Sequence, residues 1–364
     1  MTTLTSALHS FYTAHPEDAG TPVPGRVAII IPTLNEARHI TDVIAMLRPS
    51  AARLGAAIIV ADGGSDDGTI DLVRSQAAQF PQVFLLRNPR KLQSAAINLA
   101  QTLCPPEVAW LIRIDAHAAY PDDYCDTLLQ EARATGAESV VVSMHARGQG
   151  FMQRNIAAAQ NGFVGNGGSA HRGVTAGQFV DHGHHALMRR TAFAAVGGYD
   201  ESFSHNEDAE LDARLRKADF RIWLTGQTQM TYFPRDTLRG LARQYYNFGR
   251  GRVATARKHP DSFRKRHLVL VSLAPIAAAA GMAGIHPIFA APLALWFIAC
   301  IMAGMFAALR QRDGSLAASG LPASVMQMAW SFGFWAGLLR FAKDRLKPTC
   351  QTKPHPTPIR KEGS

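Results

Sequence analysis

Two short β-branched runs, Val27 to Ile31 (VAIII) and Ala57 to Ala61 (AIIVA), are closed by Pro32 and by Asp62 and read as buried strands. Between them, Ile40, Val43, Ile44 and Leu47 recur at helical spacing within Glu36 to Arg48. The unit repeats: a helix from about Thr69, a strand at Val83 to Leu86, a helix around Leu92 to Leu103, and a strand at Ala109 to Ile114. Such alternation predicts an α/β fold, a doubly wound sheet with helices on both faces that binds ligands beyond the carboxyl ends of its strands. Asp62 and Asp115 stand at two of those ends.

Beyond Gln130, ESVVVSMHA and FVDHGHHALM read as two more strands, separated by the Gly-, Asn- and Ser-rich stretch Gly165 to Gly173. Gly165 to Ala170 matches G-x-G-x-x-A, but no β-branched strand leads into it, so a nicotinamide fingerprint is discounted. After Arg266, two apolar runs reach Leu309 with only His286 between them, and Lys and Arg stand on both flanks. That pattern predicts a membrane helical hairpin with both ends in the cytoplasm. Ala323 to Leu339 reads either as a third span or as a helix lying in the interface. The expected organisation is a flexible leader (1–25), a catalytic domain (26–236), a basic amphipathic interface region (237–266), membrane-associated helices (267–347) and a disordered tail (348–364).

Charge adds to this picture. The 364 residues carry a formal charge of +10, and eight Lys or Arg fall between Arg243 and Arg266 against the single Asp261, directly before the apolar runs. Charge placed there favours a membrane face over nucleic acid. Leu238, Leu241, Tyr245 and Phe248 share one helical stripe, with Arg239, Arg243 and Arg250 roughly opposite. The stripe fits either packing on the catalytic domain or contact with acyl chains. Four dispersed cysteines without metal spacing suit reduced thiols.

The candidate chemistry is carboxylate and imidazole. In WLIRIDAHAAYP, Asp115 and His117 lie at i and i+2, on one side of an extended chain, as a pair of metal ligands or as a solvated turn. Ser65 to Asp67 suit helix caps; Asp62 is too early to cap and suits a base NH or ribose hydroxyl. Glu207 and Asp208 open a helix, where a carboxylate serves as a cap or as a positioned general base, and Glu210 pairs with Arg214 at i, i+4. Within DHGHH, His184 or His185 is the candidate to line a sugar or acceptor pocket.

Five ordered motifs, IIIPTLNEARHI, VADGGSDDGT, IRIDAHA, VGGYDESF and NEDAELDARLRKADF, make residues 27–220 resemble the family 2 glycosyltransferases of the GT-A fold, within the branch that builds bacterial exopolysaccharides such as succinoglycan. The resemblance implies that Pro32, Thr33, Glu36 and Asp62 hold the nucleotide's base and ribose, with Lys91 also on the donor side. Asp115 and His117 would hold a divalent metal on the diphosphate, and Asp208 would be the base. A family DxD usually ends on a second aspartate; His117 in its place favours Mn²⁺ over Mg²⁺. RQYYNFGRGR begins with Gln244 but lacks the Arg-Trp pair of processive relatives, which argues for single transfers. The expected function is inverting transfer of a hexose, as glucose from UDP-glucose, to a polyprenyl-diphosphate-linked glycan at the inner membrane, within a polysaccharide-assembly complex. The alternatives are a polyprenyl-monophosphate glycosyltransferase and a non-catalytic membrane scaffold.

Overall fold

The computed structural model describes residues 2–14, 25–162, 164 and 176–346. The glycine-rich stretch 165–173 and the expected tail 348–364 lie outside them. The strands are β1 (Arg26–Thr33), β2 (Ala57–Asp62), β3 (Val83–Arg87), β4 (Val108–Arg113), β5 (Ala118–Ala119), β6 (Ser139–Ala146), β7 (Gln178–Phe179), β8 (His184–Arg189) and β9 (Ile222–Tyr232). The helices are α1 (Thr2–Ala14), α2 (Ile40–Arg53), α3 (Thr69–Gln79), α4 (Gln93–Leu103), α5 (Tyr124–Thr135), α6 (Phe151–Asn161), α7 (Arg190–Ala195), α8 (Glu207–Lys217), α9 (Leu238–Lys258), α10 (Lys265–Ala280), α11 (Ala291–Gln311) and α12 (Gly320–Leu346).

One sheet runs in the order β3-β2-β1-β4-β8-β6-β9-β5, with β7 added beside β9. The pairs β3-β2, β2-β1 and β1-β4 are parallel, whereas β8 runs antiparallel to both β4 and β6. Because β1 sends one connection to β2 and has β4 on its other side, the strand order reverses there and leaves a crevice at their carboxyl ends. Alternate residues of β1 serve opposite layers: Val27, Ile29 and Ile31 join one core cluster, Ala28 and Ile30 the other. Both faces are buried, so the apolar run is continuous rather than alternating.

The amino terminus departs from the expected flexible leader. Residues 2–14 form α1, with Leu8, Phe11 and Tyr12 buried in the second core. The Tyr12 hydroxyl donates to Val27 O (2.7 Å) and accepts from Ala57 N (3.2 Å), satisfying backbone groups at the entry ends of β1 and β2.

At the other end, the apolar stripe of α9 turns inward. Leu241 is fully buried with Ile156, Ala159, Ala323 and Met326, and Leu238 and Tyr245 pack against them. The stripe therefore meets α6 and α12, not acyl chains, because the protein itself supplies a matching apolar surface. Glycines make the α9–α12 approach close: a Cβ at Gly249 or Gly333 would collide with a backbone carbonyl of the facing helix. This packing makes α12 a scaffold helix.

The outer pair α10 and α11 is different. Leu268, Val269, Ile285, Leu295, Met302, Phe306 and Leu309 are exposed on it. Among the described residues, one helix, Pro287–Gln311, is long and apolar enough to cross a membrane by length and composition. With 16 residues, α10 is shorter than the ~20 that a crossing needs.

Tyr12→Phe removes both hydroxyl bonds and leaves two strand-entry groups unsatisfied. It is expected to lower unfolding free energy by about 1–3 kcal/mol, read by denaturant titration. A disordered leader would show no change.

Candidate functional site

The crevice between β1 and β4 opens into a cleft of about 260 Å³ whose walls include Pro32, Thr33, Glu36, Lys91, Asp115 and His117. Six of the sequence candidates thus meet in one place. Two loops shape it. Asp67 accepts from Thr69 N (3.1 Å) and Thr69 Oγ1 (2.5 Å) within its own loop, and from Ala37 N (3.0 Å) across the cleft mouth. Asn88, itself buried, donates to Leu92 O (2.9 Å) and so closes the turn that holds Lys91 at a left-handed φ of 58°. A bulky residue held in that region marks stored strain, which concentrates at functional sites.

Asp62 differs from expectation. It is 2% exposed, and its carboxylate accepts from Gly64 N (2.7 Å), Ser65 N (2.9 Å) and Ser65 Oγ (2.5 Å). It shapes the β2–α3 turn, a role that the sequence reading did not give it. A carboxylate just before two glycines does this because it satisfies the N–H groups that the tight turn exposes.

The organising group of the site was not among the sequence candidates. Arg113, the last residue of β4, is buried, and its guanidinium joins the two sides of the crevice. Its Nη1 donates to Asp208 Oδ1 (2.8 Å) and its Nε to Asp115 Oδ1 (3.3 Å). Burial works against this charge, but Asp208 and Asp115 outweigh it and hold the arginine firmly protonated. The visible signal was WLIRI itself, since a lone arginine in a buried strand requires carboxylate partners.

Asp208 sits in the first turn of α8, following Asn206 at φ 64°. Burial alone would raise its pKa; the charge on Arg113, and after it that on His185, reverses that and places it below the ordinary carboxylate range. Its Oδ1 also accepts from the Tyr199 hydroxyl (2.9 Å). Burial, and then the Asp208 charge, push the Tyr199 pKa up, so this O–H remains a donor. Asp208 Oδ2 keeps no hydrogen bond among the described residues and faces His184, with Nδ1 3.8 Å away. Beside it, burial and then the Asp208 charge raise the pKa of Glu207.

Asp115 has the same asymmetry. Oδ1 accepts from Gln93 Nε2 (2.8 Å) and Arg113, while Oδ2 lies 3.5 Å from His184 Nε2. Burial opposes its charge, but Arg113 more than compensates and its pKa is lowered. His184 therefore stands between the free oxygens of both carboxylates, as one of the two candidates in DHGHH. Burial and then Arg113 lower its pKa, so it is neutral and these contacts are not ion pairs. His185 is the other case: fully buried, 2.9 Å from Asp212 and 3.1 Å from Ser139 Oγ, it belongs to the core.

His117 Nδ1 lies 2.8 Å from Glu36 Oε1, and this bond chiefly raises its pKa. An imidazole held through Nδ1 by a carboxylate leaves Nε2 as the ligating atom, an arrangement that recurs around metal-bound histidines. Among the described residues, no group of three or more His, Cys, Asp or Glu converges to hold a metal. Asp115 and His117 still fit a cation shared with substrate, because such ions take one or two protein ligands and complete their shell with phosphate oxygens and water.

Glu210 pairs with Arg214 as expected, through Nε (2.9 Å) and Nη2 (2.6 Å), but in the interior rather than on the surface. Its side chain is 0% exposed and also meets Lys258 Nζ (2.7 Å) and His259 Nε2 (3.1 Å) from α9.

Residues 28–197 match the family model described as glycosyl transferase family 2. Over 317 residues the chain is 50% identical to the succinoglycan biosynthesis protein ExoA of Rhizobium meliloti (strain 1021), which covers 86% of this chain and 96% of that protein. Among solved structures, a mannosyltransferase, PcManGT from Pyrobaculum calidifontis in complex with GDP-Man and Mn²⁺, aligns with a TM-score of 0.54. That alignment covers 89% of this chain and 99% of the other at 19% identity, a likeness of fold.

Arg113→Gln leaves two buried carboxylates without their cation and is expected to cost about 3–5 kcal/mol of stability at neutral pH. The Asp208 contribution is present above the unfolded carboxylate pKa and is lost as pH falls through its depressed folded value. Stability of the variant should therefore rise toward acid relative to wild type. Adding Asp208→Asn should recover part of the loss without restoring turnover; a loss under about 1 kcal/mol would show that the guanidinium does not hold the site together.

Proposed function

The chain belongs to glycosyl transferase family 2 and has the GT-A fold, and from that premise we propose that it moves a hexose, as glucose from UDP-glucose, to a polyprenyl-diphosphate-linked glycan in exopolysaccharide assembly, with inversion at the anomeric carbon. The observation that carries the reading is the Arg113 bridge. It sets the donor-side carboxylate Asp115 and the acceptor-side carboxylate Asp208 on one guanidinium, each with its second oxygen turned to His184. Identity of 50% to a protein named for succinoglycan biosynthesis supports the exopolysaccharide setting.

In this reading, Pro32 and Thr33 border the base and ribose, with the turn organised by Asp62, and Lys91 meets the diphosphate. Asp115 and His117 hold a divalent cation, Mn²⁺ in preference to Mg²⁺, since imidazole suits the former better. When bound, that cation neutralises charge growing on the departing diphosphate. Asp208 Oδ2 takes the acceptor's hydroxyl proton as the acceptor oxygen bonds to the anomeric carbon and the bond from that carbon to the phosphate oxygen breaks. A carboxylate held this acidic does not ionise an alcohol beforehand; it accepts the proton as bonding to carbon makes the oxygen acidic. Arg113 and Tyr199 fix the orientation of Oδ2 by occupying Oδ1.

The exposed apolar surface of α10 and α11 supports a place at the cytoplasmic face of the inner membrane, with this pair entering the bilayer, in reach of lipid-linked acceptor and of partner enzymes. A polyprenyl-monophosphate acceptor is the competing reading, and its product would be an acid-labile lipid-phosphate sugar rather than a lengthened oligosaccharide.

The test is transfer of radiolabel from UDP-glucose to extractable lipid in membranes holding the chain, with Mn²⁺ or with EDTA. Label should appear, should require metal, and should fall about 10²–10⁴-fold in Asp208→Asn. Label that survives EDTA and Asp208→Asn would sink the reading. Because a ligating imidazole must be unprotonated, Mn²⁺ affinity measured by EPR should strengthen as pH rises through the elevated pKa of His117. His117→Gln should flatten that dependence, and an unaltered profile would remove His117 from the metal site.

A further inference from the structure

We propose that the cavity walled by α9, α12 and the 202–205 segment binds the diphosphate of a lipid-anchored acceptor; this rests on the reading above and gives that acceptor its place. The cavity holds about 300 Å³, enough for an anionic headgroup, and collects three arginines. Arg250 and Arg257 project two helical turns apart along α9, and Arg340 comes from α12. No Asp or Glu is among its described lining residues, and none of the three arginines forms an ion pair with a described carboxylate. Three cations around one concavity with no carboxylate among its described lining residues repel one another unless an anion joins them, and a diphosphate supplies the matching charge.

Two further features point to a lipid-anchored anion rather than a free one. Phe203 and Phe341 line the same cavity, with the Arg257 guanidinium 3.2 Å from the centroid of the Phe341 ring, so apolar and cationic surface alternate around it. The scaffold helix α12 also packs against α10, where Ser331 Oγ accepts from Ala274 N (3.0 Å) and Trp335 Nε1 donates to Val271 O (2.9 Å). The helix that supplies Arg340 and Phe341 to the cavity is thus the one on which the apolar α10 rests.

The cavity is joined to the reaction centre through the backbone. His205 lines it and lies three residues before Asp208, so the two Cα atoms are at most about 11 Å apart. Asn206, between them, donates from Nδ2 to Phe248 O (3.2 Å) and pins this segment to α9. Burial and then Arg250 depress the pKa of His205, in keeping with a positive local field. The donor cleft uses a different set of residues, so donor and acceptor phosphates occupy separate sites on either side of Arg113.

Farnesyl diphosphate binding to the full chain in detergent, followed by calorimetry in EDTA, tests the assignment. Wild type should bind it, inorganic pyrophosphate should bind more weakly, and UDP should not displace it. Arg257→Gln with Arg340→Gln should weaken binding by about tenfold or more, and the paired change to Lys should restore much of it. Absence of binding, equal binding by the Gln pair, displacement by UDP, or equal competition by phosphatidylglycerol would each overturn the proposal, the last by making the cavity a general phospholipid site. Sugar transfer measured on the same preparations separates the two readings. Probe binding without any transfer contradicts the proposed reaction alone, whereas transfer with no effect of the Gln pair on the probe contradicts the site alone.

Discussion

A guanidinium buried at the end of a central strand is unstable on its own, and the site is built to satisfy the one on Arg113. Taking such a charge out of water costs several kcal/mol, recovered only with well-placed carboxylates and further hydrogen bonds. Asp115 and Asp208 provide the first, and Tyr199 and Gln93 the second. The consequence is chemical as well as structural. Each carboxylate spends one oxygen on Arg113 and turns the other toward His184, so the cation that stabilises the interior also decides which oxygens are left without a hydrogen bond among the described residues. Ionisation of both acids follows from the same pairing.

The helix that carries Asp208 is held from the far side by a second buried charge. Glu210, two residues further on and so on the opposite face of the helix, gathers Arg214 from its own helix and Lys258 and His259 from the end of α9, while Lys258 also reaches Asp200 at 2.7 Å. Burial opposes the charge on Glu210, and its partners hold its pKa down. The loop that carries Asp200, the helix α8 and the basic end of α9 are in this way one electrostatic unit. Through the glycine contacts of α9 with α12, that unit extends to the exposed apolar helices, so packing on α10 and α12 has a rigid path to Asp208.

The parallel half of the sheet was legible because β1, β2 and β4 are buried along most of their length, so that apolar residues run on without alternation. The two-residue strands β5 and β7 left no periodic signal, since pairing with β9 and not propensity creates them. The α1 helix was missed although Leu4, Leu8, Phe11 and Tyr12 recur at helical spacing; polar threonines and serines around them masked the stripe. The stripe of α9 was found, but its direction was not, because a helix carries no mark of whether protein or lipid will cover its apolar face. In the site, Asp115, His117 and Asp208 were visible as chemistry at strand and helix ends. Arg113 is hidden by the apolar residues around it, and the turn-forming bonds of Asp62 are not visible in a run that only shows a carboxylate before two glycines.

In the proposed reaction, donor and acceptor meet from opposite sides of the Arg113 bridge, with proton acceptance by Asp208 on the face away from the leaving diphosphate. The anomeric configuration of the transferred sugar, read by proton NMR on product made from an α-linked nucleotide sugar, tests that claim most directly. A β-glycoside is the predicted product. An α-glycoside would require attack from the leaving-group side or a covalent intermediate, and would contradict the roles given to Asp208 and Asp115.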